Sequence, residues 1–162
     1  MIQINRYLSN KIKASSIKAT NNTIKQIVKS ELDRLGHDAD LNHIDVSEVT
    51  DMNHLFCCAE GYGILNSTYE DLNSEISRWD VSNTKRMDFM FYKCKKFNCD
   101  ISNWMTKNLE NMNYMFYGCE NFNQDLSQWD VHNMKTVFMA FEETYVKDNF
   151  MPPFQKKFMK AM

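Results

Sequence analysis

The chain has few of the residues that interrupt regular packing. Its 162 residues include four glycines and only two prolines, Pro152 and Pro153, both near the end of the sequence. Linkers between domains are rich in glycine, serine or proline, so the sequence predicts a single continuous domain. With 43% apolar and 13% aromatic residues, a chain of this length can build its own core.

Long apolar runs are absent as well. The first residues show no apolar signal-peptide segment, and no run approaches the roughly 20 apolar residues that cross a bilayer. Five cysteines, an odd number, without an export signal favour reduced thiols. We therefore expect no membrane span and, by default, a cytoplasmic location.

Catalytic and metal-binding motifs are also missing. The four histidines are scattered, Cys57 and Cys58 are adjacent and not spaced as C-x-x-C, and there is no glycine-rich phosphate loop. We therefore expect no catalytic residues, no cofactor and no metal ion, and a protein that is not an enzyme. Cys94 and Cys119 occupy equivalent repeat positions and are interpreted as inert core thiols.

The most abundant feature is internal repetition with a period of 25 residues, marked by Trp79, Trp104 and Trp129. The apolar residues in this register form the predicted repeat core: Trp79, Met87, Met90, Phe91, Phe97, Trp104, Met112, Met115, Phe116, Phe122, Trp129 and Phe141. A degenerate earlier repeat begins at Ile44 and carries an insertion at about residues 61–71. Such a period predicts units that bury their apolar sides against their neighbours.

Two local patterns within a repeat predict its secondary structure. Residues 100–104 alternate polar and apolar side chains, as in a short strand. Met112, Met115 and Phe116 fall on one face of a helical turn. The predicted fold class is therefore an α/β repeat solenoid, in which short parallel strands alternate with short helical turns.

Segments of different character flank the repeats. An N-terminal helix is predicted by apolar residues at helical spacing before Gly36: Ile24, Ile27, Val28, Leu32 and Leu35. It either caps the first repeat or binds a partner. A short C-terminal helix is predicted by Phe150, Phe154, Phe158 and Met162. The predicted organisation is a basic arm and capping helix at 1–40, a four-coil solenoid at 41–149 and a C-terminal cap at 150–162.

Repeated polar positions predict structural roles. Two sets of asparagines should form side-chain ladders that satisfy backbone groups at corners: Asn98 with Asn123, and Asn83 with Asn108 and Asn133. Two columns of acids should accept hydrogen bonds from local backbone N–H groups: Glu75, Asp100 and Asp125, and Asp45, Asp80 and Asp130. Calcium binding by these columns is the alternative, although the glycine-rich nonapeptide of such sites is missing.

The repeat itself resembles a known family. The resemblance is carried by residues 79–83 (Trp-Asp-Val-Ser-Asn), by Met87, Met90, Phe91 and Tyr92, and by residues 97–102 (Phe-Asn-Cys-Asp-Ile-Ser). It is similar to the bacterial surface-protein repeat of BspA-like leucine-rich-repeat proteins, over roughly residues 22–144. The resemblance implies a leucine-rich-repeat solenoid with a non-enzymatic binding or adhesion role, commonly at the cell surface.

Specificity on a repeat scaffold comes from exposed residues that vary between repeats. The predicted partner-binding residues precede and follow each tryptophan: Arg78, Ser82, Asn103, Lys107, Gln128 and His132. We expect a monomer that binds a protein partner of unknown identity through this face. The insertion, which carries Tyr62, Tyr69, Glu70 and Asp71, is either a second contact element or a tolerated surface loop.

The net charge of −2 conceals an uneven distribution that leaves other functions open. Residues 1–30 contain six basic residues and no acid, whereas residues 41–130 contain 14 acids and 7 bases. Nucleic acid could bind the basic arm together with Lys93, Lys95 and Lys96, but the acidic repeats oppose it. A further alternative is an intracellular or mobile-element protein that binds a partner inside the producing cell.

Overall fold

Turns, and not strands or helices, make up most of the repeats. The computed structural model describes residues 16–153. They contain a two-stranded parallel sheet, β1 (Ile17–Lys18) and β2 (Ile44–Asp45), one α-helix, α1 (Ile24–Leu35), and two 3-10 helices, Ser67–Tyr69 and Asp148–Phe150. The predicted solenoid of alternating strands and helical turns is therefore wrong.

Backbone hydrogen bonds nevertheless join each repeat to the next. Repeats 1 to 4 are the segments that begin at Ile44, Trp79, Trp104 and Trp129. Between repeats 2 and 3, four alternate N–H groups donate to four carbonyls at 2.8–2.9 Å: Met87 to Asn111, Phe89 to Asn113, Phe91 to Met115 and Lys93 to Tyr117. Single-residue parallel bridges continue along the stack, from Asp51 to Arg86, Asn111 and Thr136.

The predicted helical turns do not form because alternate backbone N–H groups donate within the repeat and to the next repeat. The N–H groups of Met90, Tyr92 and Cys94 close turns on carbonyls three residues earlier, at 2.9–3.2 Å. The N–H groups between them donate to the next repeat. An α-helix needs every N–H to bond the carbonyl four residues earlier. Positive φ angles at Phe89 (57°) and Lys93 (62°) also interrupt any helical path.

The predicted strands fail because aspartate side chains bend the backbone. In residues 100–104, the N–H of Ser102 donates to Asp100 Oδ1 at 3.0 Å, and the N–H of Trp104 donates to the carbonyl of Ile101 at 3.1 Å. These are turn contacts, which compete with an extended ladder. The apolar–polar alternation of this segment therefore comes from consecutive turns and not from a strand.

The helix predicted near the N-terminus is confirmed as α1. Ile24, Val28 and Leu32 form its buried face, and Leu35 lies outside that face, in solvent. The Gly36 N–H donates to the Leu32 carbonyl at 2.8 Å, and the glycine φ of 94° ends the helix. The basic arm up to residue 15 and the predicted C-terminal helix beyond Pro153 lie outside the described residues.

Aromatic columns run through the core of the stack. All twelve predicted core residues are at most 7% exposed. Four phenylalanines, one from each repeat, stack in sequence: Phe56, Phe91, Phe116 and Phe141, with ring centroids 5.3, 5.6 and 5.4 Å apart. Offset stacking at such distances stabilises aromatic pairs beyond the burial of their surface.

Asparagine side chains satisfy backbone groups between repeats, and the predicted ladders are confirmed. The Nδ2 group of each member donates to a carbonyl of the preceding repeat at 2.6–2.9 Å: Asn83 to Ser47, Asn108 to Ser82 and Asn133 to Lys107. Asn98 Oδ1 accepts a hydrogen bond from the Asn123 N–H at 3.0 Å. These contacts compensate for the short strands, because backbone groups removed from water need partners.

We expect Asn108→Ala to lower the free energy of unfolding by about 1–3 kcal/mol, since it leaves the Ser82 carbonyl without its donor. Urea denaturation monitored by tryptophan fluorescence measures the change. Asn103→Ala is the matched control, because within residues 16–153 the exposed Asn103 side chain makes no hydrogen bond, and its effect should stay within roughly 0.5 kcal/mol. Equal effects of the two changes would contradict the assignment.

Candidate functional site

The six predicted partner-binding residues lie on the surface on both sides of the tryptophans. Five are exposed and Ser82 is half-buried. The rows formed by equivalent positions are Arg78, Asn103 and Gln128 before the tryptophans, and Ser82, Lys107 and His132 after them. Their side-chain contacts are local, such as His132 Nδ1 at 2.5 Å from Asp130 Oδ1 and an Arg78–Asp40 ion pair at 3.7 Å. They form two rows on an open surface and no pocket.

The tryptophans between these rows are held inside the molecule. Each indole Nε1 donates to a carbonyl 28 or 38 residues earlier in the chain: Trp79 to Leu41 at 3.0 Å, Trp104 to Ile76 at 3.3 Å and Trp129 to Ile101 at 3.1 Å. A buried indole needs such a partner for its N–H. The indole rings are therefore buried between the two rows, so a partner could contact the row side chains but not the rings.

The acidic columns make the predicted turn contacts. One carboxylate oxygen of each acid accepts the backbone N–H two residues later, at 2.9–3.3 Å: Asp45, Glu75, Asp80, Asp100, Asp125 and Asp130. The backbone hydrogen bond from Ser127 lowers the pKa of Asp125. Across residues 16–153, no three histidine, cysteine, aspartate or glutamate side chains gather closely enough to hold a metal ion. The hydrogen-bond interpretation of these acids is confirmed.

The end of the insertion contacts the α1 region and repeat 2 through three polar side chains. Tyr69 is buried and its hydroxyl donates to the Asp33 carboxylate. Glu70 pairs with Lys95 at 2.8 Å, and Asp71 Oδ1 lies 2.5 Å from His37 Nδ1. Tyr62 and Asp71 are both exposed, and Tyr62 has 62% of its surface exposed.

The helix α1 is tied to repeat 1 through a buried carboxylate. Glu31 Oε2 lies 2.5 Å from Arg34 Nη2 and 2.9 Å from His43 Nε2. The hydrogen bond from Arg34 is the main reason why the pKa of Glu31 is lowered, and His43 adds to it. A buried carboxylate requires such pairing, so these residues position the helix. Apolar spacing alone did not reveal this contact.

A shallow cleft of about 480 Å³ lies between α1 and the insertion, lined by Gln26, Lys29, Ser30, Asp33, Arg34 and Ile64. Its charged groups already have partners: Lys29 pairs with Asp33 at 2.8 Å, and Arg34 pairs with Glu31. Histidines 37, 43 and 132 likewise each pair with a carboxylate, and in the described part of the chain none accepts a hydrogen bond from a serine or cysteine. These charged groups are therefore already engaged in ion pairs within the protein.

A partly exposed aromatic surface is the feature that sequence reasoning missed. We call it the aromatic face, and its members are His54, Tyr62, Phe89, Tyr92, Tyr114, Tyr117 and Phe138. The rings of His54 and Phe89 stack at 4.8 Å, and those of Phe89 and Tyr114 also stack at 4.8 Å. Phe138 meets Tyr114 edge to face at 5.4 Å and is 53% exposed. The face therefore crosses all four repeats.

A second row of rings widens this surface. Tyr92 and Tyr117 stack at 5.2 Å, and each is in tilted contact with the neighbouring Phe89 or Tyr114 at 5.5 or 5.9 Å. The Tyr117 hydroxyl donates to Glu143 at 2.9 Å. Burial lowers the pKa of His54, so its ring joins the face as a neutral aromatic group near pH 7.

The signal that could have revealed this face is its register. Phe89 and Tyr114 are 25 residues apart, as are Tyr92 and Tyr117. His54, Phe89 and Tyr114 all have φ between 54° and 58°, a region that non-glycine residues seldom occupy. Repeated aromatic residues at such positions are thus brought to the surface, whereas their neighbours Met90 and Met115 are buried.

Three of the six described basic residues proposed for nucleic acid contact pair with acids: Lys18, Lys29 and Lys95. Lys18 pairs with Glu48 at 2.6 Å and Lys95 with Glu70 at 2.8 Å. Lys93 lies over the ring of Tyr92 at 5.6 Å. Arg6, Lys11 and Lys13 lie outside the described residues. These ion pairs offset part of the basic charge proposed for nucleic acid contact.

Within the described residues, none of the helices combines the length and apolar character that a membrane span requires.

Comparison with known protein families gives a match that covers the repeats. Residues 29–151 match the family described as "Mycoplasma protein of unknown function, DUF285", and the chain belongs to this family. The matched region runs from within α1 through repeat 4. No curated protein and no solved structure matches the chain. The family description mentions neither leucine-rich repeats nor BspA-like proteins, so that resemblance stays a prediction.

Proposed function

We propose that this protein is a non-catalytic binding module that recognises a protein partner through its exposed surface. The observation that carries the proposal is the aromatic face. Protein interfaces are enriched in tyrosine, phenylalanine and tryptophan relative to the rest of the surface. Contiguous exposed apolar patches of soluble proteins are typical of interaction sites. The adhesion-type role implied by the BspA-like resemblance agrees with this proposal.

The aromatic face is better suited to protein than to nucleic acid. Single-stranded nucleic acids bind by stacking bases on open ring faces beside a basic groove. Here the ring of Phe89 stacks on both His54 and Tyr114, so its faces are already in contact with other rings. Acidic residues Glu142 and Glu143 are exposed at this end of the stack and would repel phosphates. Ring edges and phenol hydroxyls instead match a mixed apolar and polar protein surface.

The rows beside the tryptophans are a second part of the proposed interface. Arg78 and Lys107 are exposed, and the Arg78–Asp40 pair at 3.7 Å is too open to contribute much stability. Reversing their charges should therefore weaken partner binding without lowering stability. Rim charges act mainly on association rate and specificity, whereas aromatic anchors carry most of the affinity.

Affinity capture with matched baits tests the proposal. Wild-type protein is immobilised and exposed separately to lysate of the producing cells, to intact cell surfaces and to host matrix. The aromatic variant is Tyr62→Ser with Phe138→Ser, and the charge variant is Arg78→Glu with Lys107→Glu. Tyr145→Ser is the control, because Tyr145 is 74% exposed but lies outside the aromatic face.

We expect a saturable protein partner that the Tyr145 variant retains. The aromatic variant should lose about tenfold or more in affinity, as expected when interface anchors are truncated. The charge variant should bind more weakly, and more so at low salt. Failure to capture any protein saturably from the three sources, or equal binding by all variants, would contradict the proposed function.

A further inference from the structure

Three cysteine thiols lie in the interior along the direction of the stack. Cys58 belongs to repeat 1, Cys94 to repeat 2 and Cys119 to repeat 3, and all three are fully buried. The Cys94 thiol donates to the Phe56 carbonyl at 3.0 Å, and the Cys119 thiol donates to the Phe91 carbonyl at 3.0 Å. Equivalent thiols thus make the same contact in consecutive repeats.

Cys58 departs from this pattern because its sulfur faces another sulfur. Cys58 Sγ lies 3.2 Å from Cys94 Sγ, and it also lies within 3.2 Å of the carbonyls of Phe56 and Tyr69. Two thiols at this separation are within reach of covalent bonding, since a disulfide requires the sulfurs to approach to about 2.05 Å.

We propose that Cys58 and Cys94 form a disulfide bond that joins repeats 1 and 2. The other three cysteines have different surroundings. Cys119 contacts a backbone carbonyl, Cys99 accepts the Ile76 N–H at 3.4 Å, and the Cys57 side chain packs beside Gly63. Cys58 and Cys94 are the pair whose sulfur atoms contact each other in the described part of the chain. The inference is independent of the proposed function.

The bond forms by thiol–disulfide exchange with a low-molecular-weight disulfide such as oxidised glutathione. The thiolate of one cysteine attacks a glutathione sulfur, forms a mixed disulfide and releases one glutathione thiolate. The thiolate of the second cysteine then attacks the first cysteine's sulfur, closes the protein disulfide and releases the second glutathione thiolate. Two protein thiols are oxidised, one glutathione disulfide is reduced, and the two protons pass to solvent or to the released thiolates.

Burial of the two sulfur atoms in the folded protein limits this exchange to the folding process. Loss of solvent raises the pKa of the Cys94 thiol well above its usual value, so little thiolate forms in the folded protein. Neither sulfur is accessible to glutathione once the repeats have stacked. We therefore expect the bond to form during folding, when the two segments meet, and to resist reduction afterwards.

The cross-link would close the chain around the insertion. Residues 59–71 lie between the two cysteines, together with the end of repeat 1 and the start of repeat 2. Closing such a loop restricts the unfolded chain more than the folded one, which stabilises the folded state. The oxidised protein should therefore unfold at a higher urea concentration than the reduced protein.

Refolding of the full chain tests the proposal. The protein is refolded from urea in a buffer of oxidised and reduced glutathione, and remaining thiols are alkylated under denaturing conditions. We expect the mass to show the loss of two hydrogen atoms, and peptide mapping to join the peptides of Cys58 and Cys94. Cys119→Ser should form the same bond, whereas Cys94→Ser should not. The urea midpoint should rise on oxidation, and it should fall again after the protein has been unfolded, reduced and refolded.

The serine variants are expected to fold, because the stack already accommodates a buried hydroxyl of this kind. Thr84 Oγ1 donates to the Val49 carbonyl at 2.9 Å, as the Cys94 thiol does to Phe56. Tryptophan fluorescence and urea denaturation under reducing conditions verify folding of each variant. Alkylation of all five thiols in the refolded wild type would overturn the proposal. So would a bond that joins a different pair, or a bond that persists in Cys94→Ser.

Discussion

Replacing Trp104 with alanine is expected to lower the free energy of unfolding by about 3–5 kcal/mol. The indole is 4% exposed, donates to the Ile76 carbonyl at 3.3 Å and stacks on Trp129 with ring centroids 6.2 Å apart. Alanine would leave a cavity between repeats and remove the donor of a buried carbonyl. Urea denaturation followed by circular dichroism measures the loss.

Trp104→Phe separates the two contributions to this loss. Phenylalanine keeps an aromatic ring in the space but has no N–H, so the lost hydrogen bond should cost about 1–3 kcal/mol. The alanine variant should therefore be the less stable of the two. A loss below about 1 kcal/mol for Trp104→Ala would mean that the ring is not packed as described.

Replacing Phe116 with alanine is the second change with a large expected effect, again about 3–5 kcal/mol. Phe116 is fully buried in the middle of the phenylalanine column. Its ring lies 5.6 Å from Phe91, 5.4 Å from Phe141 and 4.2 Å from Phe122. The change removes stacking with three repeats at once, so the loss should extend beyond repeat 3.

Met105→Ala is the matched control for Phe116→Ala, because Met105 is a large apolar side chain that is 61% exposed. Its removal should change stability by no more than roughly 0.5 kcal/mol. The same urea denaturation serves for both variants, and hydrogen exchange reports whether protection is lost in repeats 2 and 4 as well as in repeat 3. A Phe116→Ala loss as small as that of Met105→Ala would be incompatible with the column.

The burial of the twelve core residues could be predicted from their apolar character and their period. Residues that recur in register, such as Trp79, Met87 and Phe97, lie in equivalent surroundings and share a core, whereas the aromatic face recurs in the same register at the surface. The helix α1 was also predictable, since helical spacing and the glycine terminator act over a few residues. Both signals are local or strictly periodic.

The secondary structure of the repeats could not be predicted from the same residues. The spacing of Met112, Met115 and Phe116 fits a helical turn and also fits consecutive turns closed over three residues. The difference depends on where alternate N–H groups donate, and their acceptors lie one repeat further along the chain. Periodicity of side chains does not report such non-local backbone partners.

The candidate site was partly missed for a related reason. The rows around the tryptophans could be named because they flank a conspicuous residue. The aromatic face depends on left-handed backbone at His54, Phe89 and Tyr114, which redirects large side chains outward. Sequence reasoning placed weight on apolar character as a sign of burial, and no glycine marks these positions.

The insertion in repeat 1 shows that the backbone hydrogen bonds between repeats do not depend on how many residues separate each donor from its acceptor. The Met52 N–H donates to the Arg86 carbonyl across 34 residues, and the Met87 N–H donates to the Asn111 carbonyl across 24, with nearly equal distances of 2.8 and 2.9 Å. The exposed tip at Glu60 and Gly61 therefore lies outside the repeating geometry. It is a natural grafting point, where a foreign loop can be displayed beside the aromatic face while the stack keeps its register.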